Sequence, residues 1–225
     1  MLDTTDEKLD FLEHIEDIVP FDDEMWNTVA GLSKDNSSEV RMRVAERLFG
    51  VADKRSEDIL LRLADDADYL VRCEACTSLQ TLSGGRVAGK LMQKTNDAHY
   101  LVRGYAAMSA AAAAENENPT EKAKWKDRFT ALLDDPSEWV KIAALYSLIL
   151  IQGGEAYEEA LAGFINSADC HSRMFVLTLL DELLEKEKLQ DRERIVKALS
   201  ARLADEENRQ ISMKMDRLLK KCRES

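Results

Sequence analysis

The chain has 225 residues, 43 acids against 31 bases, a formal net charge of −12, and only 9 Gly and 3 Pro. That length can bury a sizeable core, and so few helix breakers suit an almost wholly helical chain. The acidic balance opposes binding to phosphate backbones, and the absence of a run of about eighteen apolar residues excludes a membrane-spanning helix.

Residues 4–19 predict an amphipathic helix, with Thr4 and Glu7 at capping-box spacing and an apolar stripe of Leu9, Leu12, Ile15, Ile18 and Val19. Pro20 ends it. Residues 1–24 carry ten acids and one base, Lys8, for a net −9; the rest of the chain is −3. Residues 1–21 are therefore expected to be an acidic cap on the helices that follow, or an acidic arm that docks a basic partner. Asp22 to Ser33 and Ser38 to Ala52 form a first helix pair. Ser56, ahead of Ile59, is expected to cap the next helix, with Glu57 and Asp58 in its first turn. The second pair ends near Ser83-Gly84-Gly85, a breaker suited to a helix C-terminus. A third pair runs from about Arg86 into the alanines 110–114, and residues 115–120 read as an inserted loop. The fourth pair starts near Thr120, turns at Asp135-Pro136 and closes at Gly153-Gly154. Two more pairs follow, and the last helix leans basic, with Arg209, Lys214, Arg217, Lys220, Lys221 and Arg223 facing only Asp216.

The pairs share a period. Val40, Val71 and Val102 stand 31 residues apart, and Val140 follows after 38. Five residues before each Val is an acid and one residue after it a base: Asp35/Arg41, Asp66/Arg72, Asp97/Arg103 and Asp135/Lys141. An Arg in the first turn of a helix opposes its own helix dipole, so its partner must lie elsewhere. The expectation is a ladder in which each Arg meets an Asp of a neighbouring repeat, the Asp also accepting backbone N–H groups and capping the second helix. This pattern resembles the HEAT repeat family, of the bacterial HEAT-like kind. The resemblance implies an all-α solenoid of about six stacked helix pairs, 1–225 as one domain, with repeats over 22–225 and second helices lining a concave surface. The fifth repeat looks degenerate, with Ser167, Ser172 and Arg173 at the Asp, Val and Arg positions. In the sixth, Glu206, Ile211 and Ser212 stand there.

The concave face should carry residues one before and two, six and nine after the Val. The expected partner-binding residues are Tyr69, Tyr100, Leu101, Met108, Trp139, Ile142, Tyr146, Ile149 and Met174, because Tyr, Trp and Met are interface-enriched types. Tight curvature could instead bury that face.

Catalytic signatures are sparse. Cys73-x-x-Cys76 has redox or metal spacing, but on a helix the two point to opposite sides. His14, His99 and His171 lie in different repeats. HEAT-type metal hydroxylases carry paired His-Glu motifs absent here, bilin lyase subunits resemble the repeat class without a residue here that argues for a tetrapyrrole, and HEAT-like DNA glycosylases use a basic groove that these faces lack. The four Cys suit free thiols of a cytoplasmic protein. The reading is a non-catalytic protein-binding adaptor or scaffold, not an enzyme, with no cofactor, metal, membrane or nucleic acid. Its partner is another protein, basic in one version, in which the chain is an immunity or inhibitor protein for a nucleic-acid-acting toxin. Self-association through acidic and basic ends is a further option.

Overall fold

The computed structural model describes residues 2–15, 20–114 and 119–224 of the protein. Among them are thirteen α-helices and no strand, one helix followed by six pairs. This is the all-α helical-repeat fold that the 31-residue period predicts. No described helix is long and apolar enough to cross a membrane. The chain divides into two compact units, Met1–Ala113 and Ala114–Ser225.

The N-terminal unit holds α1 (Thr5–His14), α2 (Asp23–Leu32), α3 (Ser38–Arg47), α4 (Lys54–Leu63), α5 (Tyr69–Leu79), α6 (Gly85–Lys94) and α7 (Tyr100–Ala114). In α1 the capping box forms: the Thr4 hydroxyl accepts the Glu7 N–H, and the Glu7 carboxylate accepts the N–H groups of Asp3 and Thr4. Leu12 and Ile15 are buried, and α1 packs on α3. Ile18 and Val19 of the expected stripe, and residues 115–118 of the expected loop, lie outside the described residues.

Three helix boundaries differ from expectation, the first being α3, which ends at Arg47 rather than Ala52. Asp53, not Ser56, caps α4: its backbone is extended, as a cap position requires, and its carboxylate accepts the Arg55 N–H at 2.8 Å. Ser56 is already inside the helix and fully buried. Gly84, at φ +116°, precedes α6 and so starts a helix rather than ending one. Only a residue without Cβ adopts that backbone freely.

The C-terminal unit holds α8 (Pro119–Leu132), α9 (Glu138–Gln152), α10 (Glu155–Gly163) with a 3₁₀ turn at Phe164–Asn166, α11 (Cys170–Glu185), α12 (Arg192–Leu203) and α13 (Arg209–Glu224). α9 is apolar on every side and packs against α8, α10 and α11. Gly153 (φ +70°) ends it, as expected from sequence.

Candidate functional site

The turns between helices are built by the predicted charged residues. Arg41 donates from Nε and Nη2 to the two carboxylate oxygens of Asp66, both at 2.7 Å, and from Nη1 to the backbone carbonyls of Asp35 and Asn36. Arg72 repeats this with Asp97, at 3.0 and 2.8 Å, and with the carbonyls of Asp66 and Ala67. Each guanidinium thus joins the turn of its own repeat to the carboxylate of the next, a bidentate geometry that Lys cannot copy. The carbonyl acceptors and the second carboxylate explain how Arg is tolerated at a helix N-terminus. Arg103 donates to the carbonyls of Asp97 and Ala98 in the same way.

The ladder Asp has a narrower local role than expected. Asp35, Asp66, Asp97 and Asp135 accept the N–H two residues on, from Ser37, Asp68, His99 and Ser137. Capping passes to the later residue: Ser37 and Asp68 cap α3 and α5 with their side chains. The degenerate fifth repeat keeps its rung in altered form. Arg173 donates to Glu206 at 2.7 and 2.9 Å, and the Glu206 side chain is fully buried. Lys141 is a correction. The next repeat offers Ser167 instead of an acid, the Ser167 hydroxyl donates to Glu138, and among the described residues Lys141 makes no ion pair.

In sequence Lys8 is simply the one base of the acidic residues 1–24. Its Nζ lies 2.7 Å from Asp35 Oδ2, and both side chains are less than a fifth exposed. Asp35 belongs to the first repeat, so no earlier Arg serves it; Lys8, on α1, takes that place. α1 therefore enters the ladder as a second helix does, and its base points inward.

Hydrogen bonds set the electrostatics of the rungs. Partial burial pulls the carboxyls of Asp66 and Asp97 up, but hydrogen bonds from Arg41 and Arg72 and from backbone N–H groups outweigh it and leave both below the usual carboxylate range. A carboxyl whose pKa is lowered on folding stabilises the fold above its unfolded value, and that contribution is lost as pH falls through the folded value. Stability from this source should be flat from about pH 7 to 5 and then decline below about pH 4. Urea midpoints across that range check it: the wild type should fall more steeply than Asp97→Ala, and parallel curves would count against it.

The expected binding residues separate into two groups. In the N-terminal unit, Tyr69 and Tyr100 are 37 and 43% exposed, and Leu70, which follows Tyr69 but is not one of the expected residues, is 45% exposed. The His99 ring stacks between the tyrosines, with centroids 3.8 Å from Tyr69 and 5.0 Å from Tyr100. Tyr69 and His99 belong to adjacent repeats, the same two that the Arg72–Asp97 rung ties together, and the Asp97 carboxylate also holds the His99 N–H. The rung thus fixes the register of the aromatic row. Leu101 and Met108 are half-buried in α7.

In the C-terminal unit the face is mostly core. Ile142, Tyr146 and Ile149 are 0, 4 and 1% exposed, so their assignment to an open surface is corrected. Three helices pack around α9, and the Tyr146 hydroxyl donates to Glu182. Trp139 and Met174 are half-buried, and the Trp139 ring lies flat on Phe175 at 3.7 Å.

Cys73 and Cys76 are both buried, which corrects the expectation that Cys73 points away from the core. Burial pushes the Cys73 thiol up to about 12 and Cys76 up as well, so neither is a thiolate at neutral pH. Among the described residues, Asp169, Cys170 and His171 place three metal-ligand atom types within 4.8 Å of one another. The Asp169 carboxylate is already engaged as the cap of α11. Burial pulls it up, but hydrogen bonds from the Ser172 hydroxyl and from the N–H groups of Ser172 and His171 bring it down to about 2.

No protein-family model matches the chain. No curated protein matches it either. Among solved structures it is similar to the archaeal HEAT-like repeats protein from Thermococcus onnurineus NA1, at 14% identity over 97% of this chain and 93% of that one, with a TM-score of 0.48. It is similar to human deoxyhypusine hydroxylase in complex with glycerol, at 16% identity, 99% and 92% coverage and a TM-score of 0.47. It is also similar to the complex of CpcE and CpcF of phycocyanin lyase from Nostoc sp. PCC7120, at 16% identity, 90% and 96% coverage and a TM-score of 0.45. The expectation that the chain is not an enzyme is corrected here: a hydroxylase and a lyase complex stand among these structures, at low identity, so the architecture gives no ground for that exclusion.

Proposed function

We propose that the chain is a protein-binding helical-repeat scaffold whose docking edge is the row Tyr69, Leu70 and Tyr100, stacked about His99. The exposure of three large apolar side chains on neighbouring turns carries this reading. Isolated exposed apolar residues need no explanation, but a contiguous group of aromatic and aliphatic side chains does. Tyrosines already ordered by stacking lose little freedom when a partner covers them, which favours tight docking. Half-buried Leu101 and Met108 of α7 extend the edge.

The test compares immobilised wild type with Tyr69→Ala/Tyr100→Ala for proteins captured from native lysate. A specific set retained by the wild type and lost from the double variant, with melting temperatures within about 2 °C of each other, is the expected result. Identical sets on both would overturn the assignment of the edge.

A further inference from the structure

α13 packs against α11 and α12 and leaves its outward face exposed among the described residues. Met213 is 63% exposed, the most exposed large apolar side chain among the described residues. Arg209 and Arg217 stand four residues to either side of it, on the same helix face. Both are exposed, and among the described residues neither makes a hydrogen bond or ion pair. Of the other bases of this helix, Lys221 is committed to Asp181 and Glu185, Lys220 to Asp216 and Lys214 to the Thr178 hydroxyl, while Arg223, in the last turn, is exposed. Around Met213 this leaves an apolar centre between two unpaired guanidinium groups, a combination of residue types enriched at protein interfaces.

A surface of opposite charge lies in the same chain. On α1, Asp6, Asp10 and Glu13 recur at steps of three or four residues and are all exposed. The only Lys of that helix, Lys8, is turned inward to Asp35, so no Lys or Arg of α1 offsets the row. At 1.5 Å per residue, Asp6 to Glu13 spans about 10 Å and Arg209 to Arg217 about 12 Å, so the two rows match in length.

We infer that the protein self-associates, the outward face of α13 in one copy seating against α1 of a second copy. This goes beyond the proposed docking edge and uses none of its residues. Contact between two unlike surfaces is either reciprocated within a pair or leaves one of each free to recruit further copies. The charged pairs lie at an exposed rim, so association is weak and sensitive to salt.

Light scattering on the full chain tests this. The weight-average mass of the wild type should rise with concentration at about 20 mM salt and return to the monomer at about 0.5 M, where screening is short-ranged. Arg209→Glu/Arg217→Glu should abolish the rise, as should Asp10→Lys/Glu13→Lys; mixing the two variants should restore it, because each reversed face then meets an oppositely charged one. All four substitutions are on exposed positions, and unchanged melting curves confirm that the variants fold. A wild type that stays monomeric at low salt, a rise that survives either reversal, or a mixture that fails to recover would each overturn the inference.

Discussion

Asp97→Ala should destabilise the protein by about 3 kcal/mol and lower its melting temperature by roughly 6–12 °C for a chain of this size. The Asp97 side chain is 7% exposed and its Arg72 partner 14%. Removing the carboxylate strands a bidentate guanidinium, unpairs the His99 N–H, and takes away the second acid near Lys94. The cost is that of leaving charged and polar groups unpaired out of water, more than the net worth of the pair itself. Asp58 supplies the control. It lies 2.8 Å from Arg86, as close as Asp97 is to Arg72, but both side chains are more than half exposed. Asp58→Ala should cost well under about 1 kcal/mol. Equal effects from the two substitutions would mean that burial does not set the value of these pairs.

Glu158→Ala should cost about 2–3 kcal/mol. Glu158 is fully buried near the start of α10, where the helix dipole favours a carboxylate. Its oxygens accept the N–H groups of Gln190 and Asp191 at 3.0–3.1 Å. Asp191 in turn caps α12. Glu158 therefore holds the segment that begins the last helix pair, and alanine leaves two backbone donors without an acceptor. Glu158→Gln keeps the volume but presents an N–H₂ to one of them, so it should recover only part of the loss. Urea unfolding of both variants measures this, and a wild-type midpoint for Glu158→Ala would show that water replaces the carboxylate without cost.

The repeat was legible because its chemistry recurs. Four acid–base spacings with one Val between them point to the fold and to pairing of Arg41 and Arg72 with a neighbouring repeat; that the partner is the following repeat is visible only in the structure. What failed to show in sequence were interactions without periodicity. Lys8 lacks the Val that marks the other bases, yet it completes the first rung. Glu158 sits at no repeat position, and its partners are backbone groups 32 and 33 residues away. The face of α9 is not legible in sequence, because a helix apolar on all sides has no pattern that separates surface from core; three packed neighbours decide it. Tyr69 and Tyr100 were legible as candidates, but their register against His99 depends on the rung geometry. The expectation of one domain over 1–225 is a question of cooperativity: a single calorimetric transition would support it, and two would divide it.

The Arg72–Asp97 rung fixes the spacing of its two repeats and with it the aromatic row. A double-mutant cycle of Arg72→Ala and Asp97→Ala, read by urea unfolding, tests it most directly. The expected coupling is about 2 kcal/mol, the double variant being barely less stable than the worse single one. Additive losses, with coupling under about 0.3 kcal/mol, would contradict it.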